Sequence, residues 1–289
     1  MKDDSQDHEG SSALGFSNKI STAAIVDKAL KLHSEGNIIE AKKYYQVLLN
    51  KGIDDPRIYC NYGSICKKEG RSNDAIDYYQ RSIFLDPYYS GAYYNYGNLL
   101  QEMSRLKEAE RSTRLAIRNN PDFAMAHINL GNTLKALGDL ESAEISTRRG
   151  IRLSPQLAIA YNNLGMILRD FPRLEEAELS TRKAIEIKPN FALAYNNLGA
   201  ILKDLGKPKE AEYAAREAIR LEPDLVIAQS NLASILLDLG RLKEAELVIR
   251  KAISVNPSIG SMYTNQSMIF YALGDRESAL SSITKAISL

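Results

Sequence analysis

Asparagine returns at a fixed step along this chain: Asn61, Asn95, Asn129, Asn163, Asn197, Asn231 and Asn265 are each 34 residues apart. A primary amide donates and accepts at once, the same two functions that one peptide unit presents. A row of such groups on one wall could hold an extended polypeptide by its backbone, with little regard for its sequence. The same amides could instead cap or bridge within the scaffold. Either way the chemistry on offer is recognition. His8, His33 and His127 are scattered, and there is no nucleophile motif, phosphate-binding loop or metal-ligand spacing. His127 is expected to be a packed or hydrogen-bonded imidazole. Cys60 and Cys66, six residues apart, fall on different sides of a helix; they fit neither a disulfide framework nor a zinc site, and they suit a reducing cytosol. No cofactor, metal or catalytic activity is expected.

The 34-residue step belongs to the whole chain. Pro87, Pro121, Pro155, Pro189, Pro223 and Pro257 keep it, as do Gly63, Gly97, Gly131, Gly165 and Gly199, continued by Ala233 and Ser267. Alanine holds it in every copy, from Ala41 through Ala177 to Ala279. Counted from the residue three past each proline, repeats begin at Thr22, Pro56, Ser90, Ala124, Ala158, Ala192, Val226 and Gly260, and the last stops at its thirtieth position, Leu289. Each copy reads as two helices. In the copy from Ala158, apolar residues at Ile159, Leu164, Ile167 and Leu168 mark a helical face up to Asp170, and a second helix spans Glu175 to Ile187, stopped by Pro189. Glycine fills most internal turns (Gly36, Gly70, Gly138, Gly206, Gly240, Gly274), where a helix end asks for positive φ. Pro172 stands in that place in one copy, and its turn is expected to close differently. Gly165 and Ala177 mark a close approach of the two helices, where a larger side chain is expected to strain the packing.

A 34-residue period with Tyr161-Asn162-Asn163-Leu164-Gly165, then Ala177, Ala184 and Pro189, resembles the tetratricopeptide repeat; Tyr195-Asn196-Asn197-Leu198-Gly199 with Ala211, Ala218 and Pro223 matches it as well. The resemblance runs from Thr22 to Leu289. It implies an all-α, right-handed α-solenoid superhelix of eight helix-turn-helix repeats, with the first helices lining a concave groove and the asparagine row on its wall. That row is similar to the asparagine ladder in the superhelix of the O-GlcNAc transferases. The uniform copies, a recurring Ser-Thr-Arg triplet and Gly15-Phe16 resemble repeat proteins of marine cyanobacteria. One departure is that the family's aromatic in the second helix, kept as Tyr45 and Tyr79, becomes Thr113, Thr147 and Thr181. Tighter packing, or hydroxyls bonded back to the preceding turn, would accommodate the change. Family members that clamp a terminal carboxylate do so with basic residues. The fifth residues here (Val26, Cys60, Tyr94, Ile128, Asn162, Asn196, Ser230, Thr264) include none, which argues against that mode.

Three further features bear on the groove. Met125, Ile159, Leu193 and Ile227, second in successive repeats, either form an apolar strip beside the amides or pack against the next repeat. Under a ligand each would contribute about 1.5–3 kcal/mol before ordering costs. Tyr94 is placed to stack on a ligand. The acids Glu102, Asp170, Asp204 and Asp238, beside Lys67, Lys135, Arg169 and Lys203, are either solvated neighbours or a row selecting basic ligands.

Composition narrows the partners. The 289 residues carry a net charge of +1, with 44% hydrophobic and 25% charged residues, so nothing draws the chain strongly to nucleic acid or anionic membrane. There is no membrane-span-length apolar run and no secretory signal, and a cytoplasmic location is expected. Residues 1–20 read as a disordered tail ahead of the array at 22–289. The last helix, Glu277 to Leu289, shows Ile283 and Ile287 with nothing after them. This implies self-association through that helix, a separate partner, or a further domain. The expected function is a non-catalytic scaffold binding an extended polypeptide in its concave groove. The alternative is a substrate-presenting or assembly module of a multidomain glycosyl- or sulfo-transferase-like protein.

Overall fold

The computed structural model describes residues 21–289; the tail expected at 1–20, with Gly15-Phe16, lies outside the described residues. Among these, the regular structure is sixteen α-helices arranged as eight hairpins. The first helices are α1 (Thr22–Ser34), α3 (Pro56–Lys68), α5 (Ser90–Glu102), α7 (Ala124–Ala136), α9 (Ala158–Asp170), α11 (Ala192–Asp204), α13 (Val226–Asp238) and α15 (Gly260–Leu273). The second helices are α2 (Ile38–Asn50), α4 (Ser72–Leu85), α6 (Leu106–Asn119), α8 (Leu140–Leu153), α10 (Leu174–Ile187), α12 (Pro208–Leu221), α14 (Leu242–Val255) and α16 (Arg276–Ser288). The chain forms two compact units, one up to Leu99 and one from Leu100.

Proline sets where the second helices stop. The residue before it is disfavoured in the α region. Accordingly Asn120, Ser154, Lys188, Glu222 and Asn256, each just ahead of a proline, turn to φ between −144° and −133° with ψ of 84° to 95°. The next first helix is then tied to this junction. His127 Nε2 lies 2.9 Å from the Pro121 carbonyl, and Gln229, at the same repeat position, donates to the Pro223 carbonyl at 2.8 Å. The imidazole of His127 is thus hydrogen-bonded, as expected.

Inside each hairpin the turn closes with one recurring bond. The N–H two residues past the first helix's cap reaches the carbonyl five back: Asp139 to Leu134, Lys207 to Leu202 and Arg241 to Leu236, at 2.9–3.0 Å. Gly138, Gly206 and Gly240 supply the positive φ this needs. Pro172 closes its turn with one bond fewer, because the N–H by which Gly138, Gly206 and Gly240 reach the carbonyl three back, at 2.9–3.0 Å, is missing in proline, while the five-back bond is kept. Arg173 N–H bonds to Leu168 O at 2.9 Å, and the proline is held at φ +30°. Its ring prefers about −65°, so the surrounding hairpin imposes the strained angle.

The closeness of the two helices rests on a glycine and a threonine. A Cβ on Gly131 would lie 2.1 Å from Thr147 Oγ1, and one on Gly165 would lie 2.2 Å from Thr181 Oγ1 and 3.1 Å from the Ala177 carbonyl. The two readings of the threonine positions meet at Thr181, whereas Thr147 Oγ1 packs as closely but is buried without a hydrogen-bond partner. Packing is tight, and Thr113 and Thr181 donate back to Ala109 O and Ala177 O at 2.8 and 2.9 Å. Where Ala215 replaces threonine, the space opposite Gly199 widens: a Cβ there would lie 3.3 Å from the Ala211 carbonyl and 3.7 Å from the Ala215 Cβ. In the unit up to Leu99 the aromatic is kept: Tyr45 and Tyr79 are fully buried, and Tyr62 meets Tyr78 edge-on at 4.8 Å.

Successive second helices are linked by charge clusters that repeat with the fold. Glu144 takes Arg148 from its own helix and Arg173 from the next hairpin, while Arg173 also holds Glu176. The set recurs as Glu178, Arg182, Lys207 and Glu210, and again as Glu212, Arg216, Arg241 and Glu244. The Arg173 hydrogen bond lowers the pKa of Glu176, and the Arg216 hydrogen bond lowers that of Glu244. Burial raises the pKa of Glu178 and Glu212, but their bonds to neighbouring cations outweigh it and leave both lowered.

Three outcomes follow from this packing. Gly165→Ala should destabilise the protein by about 1–3 kcal/mol, and adding Thr181→Ala should restore part of it, the Ala177 carbonyl at 3.1 Å remaining, whereas Gly199→Ala should cost less than Gly165→Ala; thermal melts distinguish these. Pro172→Gly should raise the melting temperature, by relief of about 1 kcal/mol of backbone strain. The lowered carboxylates stabilise the fold above their unfolded pKa, about 4.3. That contribution should disappear as pH falls through the lower folded values. Melting temperatures taken from neutral to acid pH at low salt should therefore drop, and drop less steeply in Arg173→Gln plus Arg241→Gln.

Candidate functional site

The first helices offer two unlike faces. At 3.6 residues per turn, repeat positions 2, 6, 9 and 13 share one face, and positions 4 and 7 point the other way. In the unit from Leu100, α7, α9, α11, α13 and α15 each touch the next in that series, while α8, α10, α12 and α14 each lie between two first helices. The first helices therefore form a contiguous inner row, and their 2-6-9-13 face is the one turned away from the second helices.

The asparagines stand on this face, half-buried except for Asn197, which is buried. Most are tied to the preceding repeat. Asn197 Nδ2 donates to Asn162 Oδ1 at 2.9 Å and Asn231 Nδ2 to Asn196 Oδ1 at 2.8 Å. Asn265 Nδ2 donates to Ser230 Oγ at 2.9 Å, and Asn95 Nδ2 approaches Cys60 Sγ and Ser64 Oγ, both at 3.3 Å. In each case one partner is the fifth residue of the previous copy. Asn61 Nδ2 instead reaches the Tyr45 hydroxyl at 3.0 Å; burial pushes that phenol up to about 12, the bond from Asn61 opposing the rise. Asn129 makes no side-chain hydrogen bond among the described residues, and Asn163 Nδ2 is buried without a partner. Bridging fixes the donor end of an amide. It leaves Oδ1 of Asn231 and Asn265 without an intramolecular donor among the described residues, whereas Asn197 Oδ1 accepts from Asn196 at 3.2 Å.

Met125, Ile159 and Leu193 are half-buried beside the amides, and Ile227 is 43% exposed. Tyr94 is half-buried. The charged row is an ordered ladder: Lys135 pairs with Asp170 at 2.8 Å, Arg169 with Asp204 at 2.6 Å and Lys203 with Asp238 at 3.5 Å, each base reaching the acid one repeat on. Those acids are neutralised within the scaffold.

Two sets of residues on or beside this face escaped the sequence reading. The fifth positions Asn162, Asn196 and Ser230 matter as acceptors of the ladder. Position 9 (Asn132, Met166, Ala200) adds half-buried wall between the amides and the acids. A count of residues three beyond each asparagine would have found the second set.

Among the described residues no three His, Cys, Asp or Glu side chains gather as a metal site, and no helix is long and apolar enough to cross a membrane. Cys60 and Cys66 are buried free thiols, and burial raises Cys60 to about 11 despite its bonds to Asn95 and Tyr89. In the last hairpin Ile283 is half-buried and Ile287 is 81% exposed.

Family profiles described as tetratricopeptide repeat match residues 56–89, 158–191, 228–259 and 260–289, a second matches 94–158 and a third 181–213. No curated protein matches the sequence. Among solved structures, the chain is similar to the APC/C hetero-tetramer Cut9–Hcn1, with a TM-score of 0.72 and 15% identity over 93% of this chain and 53% of that one. It thus spans about half of that relative's length. A tetratricopeptide repeat protein of Parabacteroides merdae ATCC 43184 gives 0.68 at 14% identity, over 86% of this chain and 98% of that one. The pilF protein of Pseudomonas aeruginosa gives 0.58 at 20% identity, over 67% and 88%. At these identities the likeness is one of fold. The profile matches, the unbroken 34-residue step and the eight hairpins agree, and the chain belongs to the tetratricopeptide-repeat family.

Proposed function

We propose that this protein-interaction scaffold holds an extended polypeptide along the inner row of first helices and performs no chemistry on it. The observation that carries the reading is the half-tied amide row. Where Nδ2 is fixed by the preceding repeat, as at Asn231 and Asn265, Oδ1 can accept a peptide N–H from a side chain whose rotamer is already set. Fixing the rotamer in advance removes about 0.5–1.5 kcal/mol of ordering cost per side chain. Asn129 and Asn163 lie mid-row without such a tie and have donors to offer a peptide carbonyl after small rotations. Met125, Ile159, Leu193 and Ile227 give the bound segment an apolar rail. The ion-paired 12–13 ladder presents little net charge, which favours backbone recognition over selection of basic side chains.

The amides do not all serve the same test. Removing Asn197 or Asn231 takes a bond from the scaffold and leaves a buried acceptor behind, at about 1–3 kcal/mol each. Asn129→Ala plus Asn163→Ala takes none. This pair should leave the melting temperature within a degree or two while weakening a bound, fluorescently labelled peptide by about tenfold, as expected for two lost hydrogen bonds. The peptide would be selected from a random displayed library and measured by polarisation. Unchanged affinity in a folded double variant would sink the groove reading.

A further inference from the structure

The opposite side of the repeats carries a surface that the groove reading does not use. Four consecutive repeats place a large apolar residue in solvent at the same point of the second helix: Ile145 (63% exposed), Leu179, Tyr213 and Leu247. The flanking copies have Lys43, Asp77 and Arg111 before them and Ser281 after. A scattered exposed apolar residue needs no account, but an aligned series at one-repeat spacing does.

These residues stand over grooves that the fold creates at every junction. The second helices of successive hairpins stand apart, and the intervening first helix makes the floor. Between α6 and α8 the floor is Leu130 of α7, with Ile117 and Ile145 on the walls, around a cavity of about 490 Å³. Its rim holds Arg114, Arg118, Arg149 and Arg152, together with His127, and no carboxylate. Arg114 is held by Glu110 at 3.0 Å, and Arg149 leans toward Asp122 at 3.5 Å. Arg118 and Arg152 have no ion-pair partner among the described residues. Arg152 also borders the next groove, between α8 and α10, of about 320 Å³, where Leu164 and Leu179 supply the apolar wall; Arg148 and Lys183 on its rim are already paired with Glu144 and Glu186, which leaves Arg152 as its unpaired guanidinium. The third groove breaks the pattern, because Glu186 and Glu210 join its lining.

We propose that the outer grooves over α6, α8 and α10 dock an acidic, amphipathic peptide segment of a partner protein. Its apolar side chains sit on Ile117, Ile145 and Leu179, and its carboxylates meet Arg118 and Arg152. The occupant follows from charge complementarity. Cationic rims with unpaired guanidiniums, around apolar floors, fit a segment in which acids flank apolar residues. A polyphosphate would use the rims and waste the floors, and a net charge of +1 gives it little long-range attraction.

The test selects peptides from a random library displayed on phage, using the full chain as bait, then measures the enriched peptides in solution. Enriched sequences should place Asp or Glu beside Leu, Ile or Phe. Arg118→Glu plus Arg152→Glu should weaken them by about tenfold or more, and Ile145→Ser by about tenfold. These side chains are exposed, so circular dichroism melts should show both variants folded. Asn129→Ala plus Asn163→Ala should leave this binding unchanged, which separates it from the inner row. The proposal is overturned if no acidic bias emerges or if the acidic peptides bind the Arg118/Arg152 variant as well as wild type. It is equally overturned if heparin or phosphatidylserine vesicles bind through those arginines and no acidic peptide does.

Discussion

A hairpin of two amphipathic helices cannot bury its own apolar stripe, and everything in this fold follows from how closely its helices can approach. The approach is set at one crossing, where Gly131 or Gly165 leaves the space of a missing Cβ to a threonine hydroxyl, with a fully buried alanine beside it. At Thr113 and Thr181 the hydroxyl turns back to the carbonyl four residues earlier, while Thr147 Oγ1 fills the space at Gly131 without a hydrogen bond. A tyrosine at this point, as in the residues up to Leu99, fills the gap with a ring instead. A dense hairpin still leaves one flank apolar, and only the next hairpin can cover it.

That covering is unequal on the two sides, and the inequality makes two surfaces. In the unit from Leu100 the first helices touch in series and exchange short polar contacts: amide to amide at positions 6 and 5 between α9, α11 and α13, and base to acid at positions 12 and 13 from α7 to α13. The second helices stand farther apart and are spanned only by long arginine and lysine side chains reaching glutamates. The face of the first helices is consequently tied in part by polar bonds between repeats, with Asn163 Nδ2 left unpartnered, while the outer side keeps open grooves with apolar floors. Exposed ion pairs of this kind contribute little stability individually. Their regular repetition fixes how one hairpin sits on the next.

The repeat, its helices and its turns were legible because they depend on local backbone chemistry. Pro189 ends a helix wherever it stands, and Gly206 permits a turn whatever surrounds it. The helix expected from Glu175 begins one residue earlier, at Leu174, a difference within ordinary fraying. At Pro172 the local chemistry removes one turn bond, as the missing N–H requires, but the backbone path is kept. The proline's intrinsic preference is strong, but the hairpin's packing and the Arg173–Leu168 hydrogen bond outweigh it. The partners of the asparagines were not legible. Asn231 meets Asn196 across 35 residues, and which end of an amide is used depends on a rotamer that no periodicity encodes. The outer apolar series was visible in the sequence as Ile145, Leu179, Tyr213 and Leu247. It gave no signal of its own, because helical positions of that kind are usually core, and only exposure separates the two.

Under the proposed groove reading, one amide row would serve as scaffold and as binding site without contradiction. An amide has more hydrogen-bonding capacity than one contact consumes. When Nδ2 of Asn231 is spent on Asn196, the bond stabilises the stack and also orients the remaining acceptor, so the structural use prepares the recognition use. Asn197, with both ends engaged and the side chain buried, has moved fully into the structural role. Asn129, with neither end engaged, keeps its full capacity but must be ordered by whatever it binds, at a cost of about 0.5–1.5 kcal/mol. A regular sequence therefore yields a graded wall, in which the same residue type is structural, prepared or free according to what its predecessor offers at the fifth position.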